Sequence, residues 1–241
     1  MLILDAFGSM NLNDEIIEKL EENGIHVFFY HHFLHRTHRK LIIIDGQFSF
    51  LGGTNISENS RSWMDIQVKV GKRATNHLIN TFIRAYKIAG GKKVLKEAGM
   101  KFEKKSLFSY IIEHTPCAGK KRLHKYYFNK INHAENSIIL ISPYFVPGKW
   151  FFDSIKRALS RKVKVEIIIP KNTDHKILDT ANLYNATKYF NLGCHIYFSD
   201  VMNHAKAMLI DEKEGMVGSG NLDNLSFERN SEIGIFFKDK V

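Results

Sequence analysis

Two tripeptides, His38-Arg39-Lys40 and His204-Ala205-Lys206, each set an imidazole two residues from an ammonium, and they stand 166 residues apart. Four residues separate Lys40 from Asp45, and six separate Asp45 from Gly52-Gly53-Thr54-Asn55. The same intervals follow Lys206, giving Asp211 and then Gly218-Ser219-Gly220-Asn221. One match to five or six fixed positions arises by chance roughly once in a million start sites, so two in register mark a repeat with a shared task.

The residue types suit a phosphoryl group. On an extended strand residues two apart share a side, so His38 with Lys40, and His204 with Lys206, are expected to emerge together. Asn55 and Asn221 follow their histidines by 17 residues, after a hairpin has turned the chain back. Lys40, Lys206, Asn55 and Asn221 would then hold the phosphate oxygens. One imidazole attacks phosphorus and the other protonates the leaving oxygen, later acting as base on water or an alcohol. Histidine supplies both protonation states near neutrality. Such a nucleophile needs its second nitrogen fixed by an acceptor. Asp65, 27 residues after His38, and Glu232, 28 after His204, are the candidates. Asp45 and Asp211 read as structural groups bonding loop backbone. Gly53 and Ser219 are expected to face substrate, because small residues there, with Gly52 and Gly218, let backbone approach a phosphate.

Two other readings compete. Each His-x-Lys could be a strand end with solvated side chains, but the doubled spacing argues against it. His31, His32, His35 and His38 crowd one segment, yet that segment lacks the acidic or cysteine partners and paired spacing of a zinc centre. The chemistry asks for no metal and no cofactor.

The elements that must position these residues alternate between strand and helix, which predicts an α/β layered fold. Strands are expected at Leu2–Phe7, Ile25–Tyr30, Leu41–Ile44, Phe48–Leu51 and Ile66–Val70. Helices are expected at Asn13–Asn23, capped by Asn13, and at Thr75–Ala89. Asp45-Gly46 is a hairpin signal. The second half repeats the plan with strands at Val165–Ile169, His195–Phe198, Ala207–Ile210, Met216-Val217 and Ile233–Phe237 and a helix at His175–Phe190. It also has an earlier strand at Ser137–Phe145 and a helix at Trp150–Leu159 with no counterpart before Leu2. The first half is therefore expected to lack its opening strand and helix, as a fragment or early-truncated product would. The chain divides into a first half (1–91), a basic connection (92–133) with a strand at Leu107–Ile112 and a helix at Lys120–Ile131, and a second half (134–241).

Composition bounds the partners. The chain has 241 residues and a formal net charge of +10. That balance favours polyanions, either nucleic acid or an anionic membrane face. No run approaches the ~20 apolar residues of a membrane span. Cys117 and Cys194 are too few for a disulfide framework.

These motifs resemble those of the phospholipase D superfamily. Within it, Pro143-Tyr144-Phe145-Val146-Pro147, Ser226-Phe227-Glu228-Arg229-Asn230-Ser231-Glu232 and Asp5-Ala6-Phe7-Gly8-Ser9 resemble the bacterial cardiolipin synthases. The resemblance implies an α/β/α sandwich of two pseudo-symmetric repeats, with mixed sheets flanked by helices and one site at their seam. It implies His38 as nucleophile and His204 as general acid and base. The implied reaction joins two phosphatidylglycerol molecules into cardiolipin and releases glycerol, without a metal. The implied place is the cytoplasmic side of a bacterial membrane, bound peripherally. These synthases usually carry N-terminal anchoring segments and a longer tail than this sequence shows.

Three functions compete: lipid transferase or phospholipase D-type hydrolase, metal-independent nuclease, and inactive scaffold. Aromatic Tyr144, Phe145, Trp150, Phe151 and Phe152 would suit a lipid interface. Basic Lys101–Lys105 and Lys120–Arg122 would suit a nucleic-acid backbone.

Overall fold

The structure is a computed structural model that describes residues 1–30, 36–92 and 109–239. Its first elements are β1 (Leu2–Asp5), α1 (Asp14–Glu22), β2 (Val27–Tyr30), β3 (Lys40–Ile44), β4 (Phe48–Gly52), β5 (Gln67–Val70) and α2 (Lys72–Ile88). There follow β6 (Ser109–His114), α3 (Arg122–His133), β7 (Ser137–Ile141), β8 (Phe145–Val146), α4 (Lys149–Ser160) and β9 (Lys164–Pro170). The last are α5 (Lys176–Leu192), β10 (His195–Ser199), β11 (Ala207–Ile210), β12 (Glu214–Gly218), β13 (Leu222–Asp223), α6 (Asn224–Glu228) and β14 (Glu232–Lys238). His31, His32, His35 and Lys101–Lys105 lie outside the described residues.

Local chemistry accounts for most boundaries. Asn13 caps α1 by accepting from the Ile16 amide at 3.0 Å. The β3–β4 hairpin turns through Asp45 (φ 51°) and Gly46 (φ 63°), with Gln47 N donating to Ile44 O at 3.0 Å. That is the mirror-image turn whose twist matches paired strands. The β11–β12 hairpin repeats it at Asp211 (φ 54°) and Glu212 (φ 57°), where no glycine relieves the left-handed backbone.

The second half builds a seven-stranded mixed sheet in the order β10-β9-β7-β11-β12-β14-β6. β6 and α3, from the segment between the halves, complete that sheet and cover it. Alternation buries both faces. Met216 and Phe236 join a core with Leu123, Tyr127 and Phe151, whereas Val217, Ile233 and Ile235 pack with Leu51, Val70 and Leu78 of the first half. The layers therefore run helix, seven-stranded sheet, three-stranded β3-β4-β5 sheet, helix α2. This is a mixed α/β fold of the expected class.

The halves differ at one point. β7 pairs parallel with β9 and antiparallel with β11, joining the two parts of its sheet. In the first half β1-β2 and β3-β4-β5 are separate sheets, and among the described residues no strand joins them. The motif aspartates differ accordingly. Asp211 accepts from the amides of Glu135, Asn136 and Ser137 at 3.1, 2.6 and 2.9 Å, fixing the entry to β7. Asp45 is exposed and, among the described residues, holds no backbone amide, so the structural bond expected of it is not made. Among the described residues no helix is long and apolar enough to cross a membrane.

Burial alone would raise the Asp211 carboxyl, but its three amide donors outweigh that and hold it below the usual range. A depressed carboxylate stabilises the fold above its unfolded pKa, and that contribution is lost as pH falls through the folded value. Asp211→Ala is expected to cost about 1 kcal/mol at pH 7, given its exposure to solvent. The difference from wild type should shrink in urea titrations as pH falls below the ordinary aspartate value of roughly 3.9 and vanish once the folded carboxyl is protonated.

Candidate active site

The His-x-Lys tripeptides lie just before β3 and β11 rather than along them. β3 begins only at Lys40 and β11 only at Ala207. The residues beside each histidine pair across the molecule instead. Thr37 forms a parallel bridge with Ser231, and Asn203 forms one with Met64. His38 N donates to Ser231 O at 2.9 Å, and His204 N donates to Met64 O at 2.7 Å. Each histidine is thus stitched to the residue preceding the other half's carboxylate.

The side chains cross in the same way. His38 Nδ1 lies 3.1 and 3.2 Å from the two Glu232 carboxylate oxygens, and His204 Nδ1 lies 2.8 Å from Asp65 Oδ2. The sequence distances ran from each histidine to the carboxylate of its own half; the structure exchanges the partners. A carboxylate on Nδ1 fixes the tautomer and leaves Nε2 with the lone pair that attacks or takes a proton. The two sites are unequal in access. The His38 side chain is 29 % exposed and that of His204 only 3 %.

Both lysines are deep in this seam. Lys40 Nζ donates to His38 O at 2.9 Å, and Lys206 Nζ donates to His204 O at 2.5 Å. Burial pushes Lys40 down to about 8, against the pull of Glu232 and Asp65. Burial, with Lys40 nearby, also drives Lys206 well below its usual value. Two desolvated ammoniums that repel one another form a site awaiting an anion. His204 is lowered to about 4, chiefly by burial and also by Lys206 and Lys40, although Asp65 favours its charged form. This environment favours the neutral imidazole at pH 7.

Glu232 is wholly buried and accepts from Ser219 Oγ at 2.5 Å and Ser226 Oγ at 2.9 Å. Burial opposes its charge, but His38, Lys40 and Ser219 together bring it down to about 2. Ser219, expected to face substrate, is therefore a ligand of Glu232. Gly53 is the equivalent in the first half: a Cβ there would sit 2.4 Å from Asp65 Oδ1, so its smallness makes room for the carboxylate rather than for a phosphate. Asn221 is buried with its Oδ1 lacking a partner among the described residues, while Asn55 lines an open cavity of about 760 Å³.

That cavity is bounded by residues 54–65, including Thr54, Arg61, Trp63 and Asp65. The Trp63 ring lies 5.0 Å from the His204 ring, and Tyr144 approaches the same imidazole edge-on at 6.4 Å. Trp63 and Asp223 escaped the sequence reading, which named Ser226 only within a family-like run. Trp63 could have been found as the aromatic residue two before Asp65, and Ser226 as the opening residue of the run that ends at Glu232. Asp223, raised by burial and by Glu232, caps α6 by accepting from Ser226 N at 2.7 Å. The aromatic run expected at a lipid interface is mostly core: Phe145 and Phe151 are fully buried, with Trp150 and Phe152 packed against them.

Sulfate keeps one charge state from pH 7 to 9, so its affinity reports the site's own protons. Loss of the Lys40 proton above pH 8 should weaken sulfate binding roughly tenfold between pH 7 and pH 9 in calorimetry. Affinity that is flat across this range would mean that Lys40 does not face the anion.

The family described as "Cardiolipin synthase, PLD-like domain" matches residues 2–86 and 127–241. Cardiolipin synthase 2 of Staphylococcus epidermidis is 28% identical over 260 residues, covering 99% of this chain and 53% of the relative. Minor cardiolipin synthase ClsB of Bacillus subtilis is 25% identical over 257 residues, covering 100% of this chain and 64% of the relative. The chain thus spans about half to two-thirds of the length of these relatives. A crystal structure of the phosphatidylserine synthase of Haemophilus influenzae Rd KW20 superposes with a TM-score of 0.72 at 14% identity, over 98% of this chain and 69% of that one, which establishes the shared fold. With a family match over both halves, this chain belongs to the cardiolipin synthase, PLD-like domain family.

Proposed function

We propose that this chain carries the phosphatidyl-transfer centre of a cardiolipin synthase, acting on phosphatidylglycerol at a membrane surface. The observation that supports it best is the crossed pair of imidazole–carboxylate contacts, His38 with Glu232 and His204 with Asp65, beside two buried lysines. His38 Nε2 attacks the phosphodiester phosphorus, and the bond to the glycerol headgroup oxygen breaks as His204 gives that oxygen its proton. Phosphatidyl-His38 then meets the primary hydroxyl of a second phosphatidylglycerol. His204 takes that hydroxyl's proton, the new P–O bond forms, and the P–N bond breaks to restore His38. Lys40, Lys206, Asn55 and Asn221 hold the non-bridging oxygens throughout. The cavity beside Trp63 is of a size that holds a lipid headgroup.

His204 must hold a proton at the first step, although burial and the two lysines favour its neutral form. An arriving phosphodiester anion offsets Lys40 and Lys206, removing their repulsion and raising the proton affinity of His204. The same neutrality favours a second reading, in which His204 attacks and the more exposed His38 serves as acid and base.

The test uses phosphatidylglycerol vesicles with EDTA present. Cardiolipin and glycerol should appear in equal amounts, and His38→Ala should reduce the rate about a thousandfold or more. Cleavage of DNA without lipid turnover would refute the proposal. Labelled lipid trapped on wild type and on His204→Ala, but not on His38→Ala, supports His38 as nucleophile; the opposite pattern reverses the roles. Glu232→Gln should lower kcat roughly 10²- to 10⁴-fold while leaving the circular dichroism spectrum unchanged.

A further inference from the structure

α5 is held firmly on one side only. Asn182 accepts from Phe145 N at 2.7 Å and donates to Pro143 O at 2.8 Å, while Ala186 and Tyr189 enter the main core. The outward arc is unlike an ordinary solvated helix face. Ile177 is 84% exposed, Leu183 59%, Tyr184 70% and Phe190 63%. Between them stand Thr180, Thr187 and Asn191, with Lys176 and Lys188. The helix has a single acid, Asp179, and it turns away to accept from Thr173 N at 2.6 Å. Large apolar side chains with two cations and no anion form a surface suited to a negatively charged interface.

Its position gives that surface a use. α5 starts immediately after His175, whose ring lies 6.4 Å from Tyr144; Tyr144 in turn lies 6.4 Å from His204 and bonds Asp174 at 2.5 Å. The exposed face therefore begins at the residues that border the candidate active site.

We propose that the outer face of α5 is the membrane-contact surface of this chain, and that its partner is a bilayer rich in anionic phospholipid. Ile177, Leu183, Tyr184 and Phe190 enter the headgroup–acyl boundary while Lys176 and Lys188 meet lipid phosphates. A second copy laid on the same face would oppose these lysines with lysines, so charge favours lipid over self-association. The inference deepens the lipid reading of the active site, yet it can be tested separately from it.

The experiment compares the wild-type chain with an Ile177→Glu/Tyr184→Glu double variant, both substitutions lying at exposed positions. Sedimentation with vesicles of phosphatidylglycerol and of phosphatidylcholine measures binding. Wild type should prefer the anionic vesicles, and the double variant should lose roughly tenfold or more of that partitioning with its melting curve unchanged. Turnover of short-chain phosphatidylglycerol below its micellar concentration should be the same in both. Undiminished vesicle binding by the variant overturns the proposal. So does a wild-type dimer that the variant makes monomeric while vesicle binding persists. If binding depends on α5 but neither protein turns over the short-chain lipid, the surface stands and the transferase reading fails.

Discussion

The site depends on an exchange of carboxylates between halves. His38 is oriented by Glu232 and His204 by Asp65, partners 194 and 139 residues away. Among the described residues neither imidazole bonds a carboxylate of its own half, so the arrangement depends on the docking of the two halves. Lys206, Glu232 and His204 are buried and Lys40 and Asp65 half-buried, and breaking one member of such a set leaves an uncompensated charge. The lysines, carboxylates and imidazoles therefore specify one another's positions.

The fold delivers this exchange through backbone and core. Parallel bridges at Thr37–Ser231 and Asn203–Met64 lock each histidine segment to the other half's carboxylate strand. Beneath them, the alternation of β12 and β14 sends Val217, Ile233 and Ile235 into a core shared with Leu51, Val70 and Leu78. Arg39, the middle residue of the first tripeptide, adds a polar clamp. It bonds Thr115 at 2.7 Å and pairs with Glu113, which also holds Arg84 of α2 at 2.6 Å. The pseudo-symmetry is close at the seam and looser outside it, where β7 unites one sheet and the first half keeps two.

Much of this was legible in the sequence because the signals are local. The repeated intervals after His38 and His204, the Asp45-Gly46 turn and the Asn13 cap each act over a few residues, and each stands where expected. Asp65 and Glu232 were identifiable as orienting carboxylates because each opens or adjoins the strand after an asparagine. Which histidine each one serves was not legible, since no local pattern records a partner from the other half. The role of Ser219 and Gly53 beside the carboxylates was illegible for a related reason. Small residues permit close approach by anything, and only the fold shows that Glu232 and Asp65 arrive there. The aromatic run near Tyr144 was expected at an interface and is mostly core; α5 was legible as a helix, but its apolar residues follow no single stripe, so the face it exposes was not.

The central claim is that both imidazoles act on one phosphate. Tungstate, a phosphate analogue, can be titrated into the chain while histidine ¹⁵N resonances are followed. The account predicts that Nε2 of His38 and Nε2 of His204 shift in parallel and saturate together at one equivalent. Response of only one ring, or saturation of the two rings by separate anions, would contradict it.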